Sequence, residues 1–136
     1  MLNNAGATYV LELPWPPSGN TSTRHARGGH YKSAATIQYR AEVVRRLAGL
    51  GIGSKTPGWP LAGPLSARWV VAPPDRRRRD LDNLRKELAD ALTLAGLWAD
   101  DCGRVIRREE WQWVEPIRGG QVLLMLDQIV TDEFTK

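Results

Sequence analysis

The stretch RRRRDLDNLRKELADALTLAGLWADD, residues 76–101, runs four arginines into two aspartates and closes on two more. Its leucines recur three and four positions apart, which is typical of one face of an amphipathic helix. We therefore predict a helix over about 81–95 that ends at Gly96, since glycine is favoured just past a helix C-terminus. The predicted core face consists of Leu81, Leu84, Leu88, Leu92 and Ala95.

The polar residues of this helix have ordinary interpretations. Asn83, Lys86 and Asp90 lie on the side opposite the leucines, and Lys86 and Asp90 have the spacing of a surface ion pair. Asp80 or Asp82 can cap the helix, because aspartate is favoured at that position and interacts well with the helix dipole. The acidic pair at 100–101 can simply belong to a turn. The bland alternative is thus a solvated helix of mixed charge.

Outside this helix, residue types and periodicity predict one more helix and four strands. The helix is expected over 34–49, capped by Ser33, and the Arg-Gly-Gly at 118–120 indicates a hairpin between the last two strands. The predicted apolar face of the first helix consists of Ile37, Ala41, Val44 and Ala48. The predicted strands cover 8–13, 65–72, 104–115 and 121–130, and 21–32 is a polar segment without an assigned strand.

The order βαβαββ indicates an α+β fold with a sandwich-like arrangement. We expect a small mixed or mostly antiparallel sheet of about four strands packed with two main helices. A length of 136 residues suits one domain, so 1–136 is taken as a single domain.

Composition narrows the class of protein. The net charge of +4 favours an anionic partner only weakly, and a lone Cys102 allows no intrachain disulfide. The N-terminus lacks the pattern of a signal peptide, and no apolar run could span a membrane, so a soluble cytoplasmic protein is expected. With only His25, His30 and Cys102 available, a structural zinc site is a poor interpretation.

Acidic pairs at both ends of one helix favour a sharper hypothesis. If the segment after the helix folds back, residues 80, 82, 100 and 101 converge on a site with hard oxygen ligands. Such a site suits Mg²⁺, and neighbouring arginines can bind phosphate. Carboxylates, a lysine and arginines together are the side chains of metal-assisted phosphodiester hydrolysis.

The same residues carry a family resemblance. RRRDLDNLRKELADALTLAGLWADD resembles the central signature of the RusA-type Holliday junction resolvases, and LPWPPSGNTSTRHARGGHYKSAATIQYR resembles their opening segment. The resemblance covers most of 8–115 and is weak over 116–136. Glu87 stands after the signature lysine, where proline is common in relatives.

The resemblance implies a homodimeric, Mg²⁺-dependent endonuclease that cuts four-way branched DNA in symmetric pairs, with Mn²⁺ able to replace Mg²⁺. It implies no organic cofactor and no membrane. The setting it implies is recombination and repair on nucleoid DNA in the cytoplasm, frequently in a prophage. By position, the catalytic residues are Asp80, Asp82, Lys86 and Asp101; the metal ligands are Asp80, Asp82 and Asp101, with Asp100 as a further candidate; and Asn83 and Asp90 are supporting residues.

The DNA-binding residues expected on these grounds are Arg76, Arg77, Arg78, Arg79, Arg24, Arg27, Lys32 and Asn20. Trp15 is a candidate for stacking on a base at the crossover, and packing in the core or a dimer interface is its alternative. Two other functions stay open: a non-catalytic DNA-binding module whose aspartates balance the arginines, and a metal-dependent nuclease for other branched DNA.

Overall fold

The computed structural model describes residues 8–18, 23–26 and 29–129, with the backbone alone for 23–26 and 29–32. All six predicted elements are present, and the polar segment adds two short strands paired as an antiparallel ribbon. The elements are β1 Thr8–Leu13, β2 Thr23–Ala26, β3 Gly29–Lys32, α1 Ala34–Gly49, β4 Leu65–Ala72, α2 Leu81–Ala95, β5 Ile106–Trp113 and β6 Gln121–Gln128. Two helices and a four-stranded sheet confirm the predicted α+β class.

The sheet is mixed, with strand order β1-β6-β4-β5. β6 pairs antiparallel with both β1 and β4, whereas β4 pairs parallel with β5. Side chains alternate between the two faces of a strand. The apolar residues at every second position of these strands therefore lie on the same face of the sheet, and that face is buried. Leu11, Leu124 and Trp69 lie side by side in register across three strands of that face.

The predicted hairpin between the last two strands is wrong. β4 lies between β5 and β6, and the connecting segment crosses the end of β4 instead of turning back on β5. The backbone N–H groups of Val114 and Ile117 donate to the carbonyls of Val71 and Pro73 at 3.0 Å. β4 is the most apolar strand and has partners on both sides, so its burial decides the topology. Gly119 and Gly120 have positive φ, as expected for a turn. This turn lies at the end of the crossover segment and does not join two paired strands.

The described residues form two compact units. The sheet unit, residues 8–15, 62–76 and 100–129, contains the four-stranded sheet. The helix unit, residues 16–18, 23–26, 29–61 and 77–99, contains both helices and the β2-β3 ribbon. The chain passes from the sheet unit to the helix unit between Arg76 and Arg77, inside the arginine run. It returns to the sheet unit between Ala99 and Asp100, directly before the second acidic pair. A single domain with helices packed on the sheet therefore stays a prediction.

In the helix unit, the predicted apolar face of α1 is wrong. Ile37 is 57% exposed and Val44 38% exposed, and the alanines of that face are exposed too. The buried residues are Thr36, Tyr39, Val43 and Leu47. Tyrosine, valine and leucine bury more apolar area than a face that includes two alanines, so this second stripe faces inward.

The polar members of the buried α1 face are hydrogen-bonded. The Ser33 hydroxyl caps the helix by accepting from the Thr36 backbone N–H at 3.2 Å, as predicted, and donates to the Thr36 hydroxyl. Burial raises the pKa of Tyr39 above its ordinary value; the charge of Arg46 lowers that pKa, and the charge of Glu87 raises it further.

α2 follows its predicted bounds. Its buried side includes Leu84, Leu88 and Leu92, but Leu81 is 36% exposed, which corrects that part of the predicted core face. Gly96 adopts a left-handed conformation, with φ of 85°. The N–H of Gly96 donates to Thr93 and that of Leu97 to Leu92, which is the Schellman pattern of a helix end. Neither helix that the structure describes is long and apolar enough to cross a membrane.

Candidate functional site

The first acidic pair lies at the N-terminus of α2. Asp80 is the N-cap, and its Oδ1 accepts from the backbone N–H of Asp82 at 2.9 Å. Both side chains are exposed, and Asp82 stands in the first helical turn, where the helix dipole favours negative charge. The cap engages Oδ1, so it is compatible with metal ligation through Oδ2. The capping and ligand interpretations of Asp80 therefore do not compete.

One turn further along α2, Lys86 and Asp90 form an ion pair. The Lys86 ammonium donates to Oδ2 of Asp90 at 2.9 Å, while 69% of the lysine side chain stays exposed. The same Oδ2 lies 3.4 Å from a terminal guanidinium nitrogen of Arg40 on α1. Asn83, the third predicted polar residue, is half-buried. The surface-pair interpretation of Lys86 and Asp90 is thus geometrically correct, with Arg40 as an additional partner.

The second acidic pair follows α2 and belongs to the sheet unit. Asp100 is exposed and Asp101 half-buried, and Oδ1 of Asp100 accepts from the backbone N–H of Asp101 at 2.7 Å. A tight turn follows, in which the Cys102 carbonyl accepts from both Val105 and Ile106. The pair therefore directly precedes the turn, and Asp101 lies in the bend that leads into it. Its convergence with the first acidic pair stays a prediction.

The arginine run precedes α2 without regular secondary structure. Arg76 pairs with Glu115 at 2.6 Å, and both side chains are about four-fifths exposed. Arg79 donates to the carbonyl of Arg77 at 3.0 Å, and Arg78 is exposed. The side chains of Arg76, Arg77 and Arg78 are therefore accessible to an anion, whereas Arg79 is half-buried. The pairing of Arg76 with a carboxylate was not predicted.

The remaining predicted DNA-binding residues are only partly described. Arg24 and Lys32 belong to the β2-β3 ribbon, on neighbouring rungs, and the described part of these residues is the backbone. Asn20 and Arg27 lie outside the described residues. Trp15 is half-buried, with its ring edge-on to Trp113 at a centroid distance of 6.3 Å.

The sequence interpretation missed two charged residues of the helix unit. Arg40 has a side chain only 16% exposed, and Glu87 is 3% exposed. No sequence signal pointed to Arg40, because its buried neighbours Thr36 and Val43 lie off the predicted apolar face of α1. No signal pointed to the burial of Glu87 either, since glutamate is almost never fully buried and the departure from the common proline predicted only a minor change.

The donor chemistry of the aspartates fits a hard divalent cation. Carboxylate oxygens are the ligands that Mg²⁺ takes, and one or two of them with waters and phosphate oxygens commonly suffice. Each acidic pair, 80/82 and 100/101, supplies that number. Across residues 8–18, 23–26 and 29–129, no group of three or more Asp, Glu, His or Cys side chains could hold a metal ion. The three-aspartate ligand set stays a prediction.

Comparison with known proteins identifies relatives with a common name. A protein-family model described as Endodeoxyribonuclease RusA matches residues 14–115. Crossover junction endodeoxyribonuclease rusA of Enterobacteria phage 82 is 50% identical over 96 residues, covering 69% of this chain and 74% of that protein. The proteins of the same name from Escherichia coli (strain K12) and Shigella sonnei (strain Ss046) show the same identity and coverage.

Proposed function

This chain belongs to the endodeoxyribonuclease RusA family, and on that premise we propose that it resolves four-way DNA junctions by paired, symmetric, Mg²⁺-dependent cleavage. The relatives are named crossover junction endodeoxyribonucleases and share half of the aligned residues with it. The family match over 14–115 carries the proposal, because it includes the arginine run, α2 and both acidic pairs. Carboxylates, a lysine and arginines together suit metal-assisted phosphodiester hydrolysis.

In this proposal the metal ligands are Asp80, Asp82 and Asp101, with Asp100 as a further candidate. When bound, Mg²⁺ supplies an activated water and neutralises charge on the scissile phosphate. The exposure of the first pair supports this assignment, because a ligand must reach both solvent cations and DNA. Capping by Asp80 also holds its carboxylate in one orientation relative to the helix axis. Mn²⁺ is expected to replace Mg²⁺.

Lys86 is the proposed cationic catalyst. Its ammonium lies on the exposed side of α2, at most two helical turns from the capping aspartate. A positive charge there stabilises the negative charge that develops on the phosphoryl oxygens as the phosphodiester bond breaks. Its exposed surface, 69% of the side chain, supports direct contact with a phosphate.

The arginines are proposed to bind the phosphates that flank the cleavage site. The pair between Arg76 and Glu115 is a surface ion pair, a class that contributes about 0–1 kcal/mol. Exchanging Glu115 for a phosphate therefore costs little. Such contacts release counterions, so junction affinity is expected to fall steeply with salt.

Symmetric cleavage requires two equivalent sites, and we propose that a homodimer supplies them. A two-fold axis relating two copies would match the two equivalent strands of a four-way junction. Recombination and repair of cytoplasmic, nucleoid-associated DNA are the proposed setting. A prophage origin is in keeping with the relative in Enterobacteria phage 82.

The decisive experiment incubates the purified protein with a labelled four-way junction, with and without Mg²⁺. We expect symmetric nicks with Mg²⁺ and none after chelation by EDTA. Asp82→Asn is expected to lower the cleavage rate by about 10²-fold or more while retaining junction binding, because it removes a proposed ligand but no arginine. Restoring Mg²⁺ or Mn²⁺ after EDTA is expected to restore cleavage by the unmodified protein.

A matched control is Glu110→Gln, which removes one exposed carboxylate from β5, outside both acidic pairs. Its cleavage rate is expected to equal that of the unmodified protein. Binding without cleavage at any metal concentration would instead support the DNA-binding module. Equal cleavage of flap or Y-shaped DNA would support a nuclease for other branched substrates.

A further inference from the structure

Arg40 reaches across from α1 to the polar side of α2. Its side chain is only 16% exposed, and a terminal nitrogen lies 3.4 Å from Oδ2 of Asp90. At that distance the contact is an ion pair and a long hydrogen bond. Its Nε is buried and, within the described part of the chain, has no hydrogen-bond partner. Asp90 is therefore the anion that compensates a guanidinium largely withdrawn from water.

The Asp90 carboxylate is shared between two cations. Its Oδ2 accepts from the Lys86 ammonium at 2.9 Å and also faces Arg40. The three side chains together carry one net positive charge. Because Arg40 also neutralises Asp90, the positive charge of Lys86 is not fully cancelled and can attract a phosphate that approaches from solvent. Without Arg40, lysine and aspartate would form a neutral pair.

The shared carboxylate also restricts motion. An exposed lysine–aspartate pair at i,i+4 is weak, so by itself it does not hold a flexible lysine in one place. Arg40 is fixed by burial between the helices, and Asp90 is 32% exposed, so the arginine limits where the carboxylate can lie. The carboxylate in turn limits where the ammonium lies.

We infer that Arg40 is a positioning residue, which holds Asp90 and thereby orients and keeps available the Lys86 ammonium for the scissile phosphate. This inference rests on the proposed function, since it assigns Arg40 to the same site. Arg40 is proposed to contact neither the DNA nor the metal. Residues that orient metal ligands through a hydrogen bond typically change metal affinity or activity by about 10–100-fold when removed, and we expect an effect at the lower end of that range for an oriented lysine.

The charges near Arg40 determine which substitutions at this position preserve the stability of the fold. Glu87 lies three residues before Asp90, on the same side of α2, and is 3% exposed with Oε2 unpaired among the described residues. Removing the Arg40 charge would take away one of the two cations that Asp90 contacts, so Arg40→Gln is expected to lower the melting temperature. Arg40→Lys keeps the charge and is the conservative variant.

The test measures single-turnover junction cleavage at saturating protein and, separately, junction affinity in Ca²⁺. Arg40→Gln is expected to lower the cleavage rate about tenfold and to change the dissociation constant less than about twofold. Arg40→Lys is expected to recover most of the rate. In an Asp90→Asn background, the effect of Arg40→Gln on the rate is expected to shrink below about twofold, because the two residues act through one contact.

Arg45→Gln is the matched control. It removes an arginine from the same helix, but this arginine is 72% exposed and pairs with Glu42. We expect an unchanged cleavage rate. A rate for Arg40→Gln equal to that of the control would overturn the inference. If Arg40→Gln weakens junction binding but leaves the cleavage rate at saturation unchanged, Arg40 is a phosphate-binding residue and the inference is overturned. If Arg40→Gln lowers the cleavage rate by the same factor in the Asp90→Asn background, Arg40 has a structural role that does not act through Asp90, which also overturns the inference.

If Arg40→Gln does not fold, Arg40→Lys and Asp90→Asn decide the question. Asp90→Asn keeps the size of the side chain but leaves the Arg40 guanidinium without its anion, so it is expected to lower the melting temperature and to cleave more slowly at saturation. A rate for folded Asp90→Asn equal to that of the unmodified protein would overturn the inference. Failure of the unmodified protein to cut the junction is a different outcome. It would reject the proposed function, and with it the role of Arg40.

Discussion

At the scale of single residues, ordinary helix chemistry and proposed catalysis involve the same side chains. Asp80 caps α2 through Oδ1, and Lys86 pairs with Asp90 as any exposed i,i+4 pair would. Sequence patterns presented these as alternatives to functional roles. The geometry makes them compatible, because a cap occupies one carboxylate oxygen and the lysine pair leaves most of the side chain exposed.

Gly96 is the residue most restricted by its surroundings. Its φ is 85°, and a Cβ built there would lie 2.3 Å from the backbone nitrogen of Ser54. Both the left-handed conformation and the backbone clash oppose any side chain. Gly96→Ala is therefore expected to lower the free energy of unfolding by about 2 kcal/mol or more, measured by urea denaturation.

The control for that substitution is Gly49→Ala. Gly49 is the last residue of α1 and has no atom within 4 Å of a built Cβ. Since alanine is the better helix former by about 0.5–1 kcal/mol, this variant is expected to be neutral or slightly more stable. Equal destabilisation by both substitutions would contradict the assignment of strain to position 96.

At the scale of elements, end signals and periodicity determined the helices well. The bounds of both helices matched prediction because Ser33 and Asp80 are N-caps, and Gly96 is a C-terminal glycine. The inward face of α1 was missed. Two faces of α1 are apolar enough to be buried. Which of them packs inward depends on the shape and polarity of the α2 side chains that it would contact.

α1 also carries a pH-dependent contact on its outer surface. Hydrogen bonds from Arg45 and Arg46 lower the pKa of Glu42 from its ordinary value of 4.5 to about 2. A lowered carboxyl pKa adds stability that is fully present above pH 4.5 and is lost as the pH falls toward 2. Glu42→Gln is therefore expected to lower the melting temperature slightly at pH 7 and to leave it unchanged near pH 2.

An NMR titration of the Glu42 side-chain carboxyl carbon tests the cause directly. The midpoint is expected near 2 in the unmodified protein and closer to 4.5 in an Arg45→Gln, Arg46→Gln double variant. Because Arg45 is largely exposed and Glu42 and Arg46 are partly exposed, the difference is expected to shrink with added salt. A midpoint near 4.5 in the unmodified protein would show that the contacts do not persist in solution.

At the scale of the whole molecule, the chain crosses between two compact units at the two ends of the stretch that carries the family signature. Each unit is built from segments distant in sequence. Neither is a continuous piece that could be cut out of the chain. Interleaved units of this kind are expected to fold cooperatively, in accord with the prediction of a single domain.

We therefore expect one thermal unfolding transition, with a calorimetric enthalpy equal to the van't Hoff enthalpy. If the protein is the proposed homodimer, the melting temperature should also rise with protein concentration, because association stabilises the folded state by mass action. Two resolved transitions would contradict the single domain. A melting temperature independent of concentration, with a monomeric mass by sedimentation, would contradict the dimer.

The sequence by itself determined what depends on neighbours along the chain. Caps, helix periodicity, strand segments and the family signature are all local patterns, so the fold class and every long element followed from them. It also indicated both acidic pairs and the lysine, since their spacing is local too.

Only the tertiary structure decided what depends on contacts between distant segments. It put β4 between β5 and β6, turned α1 to bury Tyr39, and set Arg40 against Asp90, fifty residues away. No local pattern encodes these pairings. Each is selected by how much apolar area the alternatives bury and by whether a buried charge finds its partner.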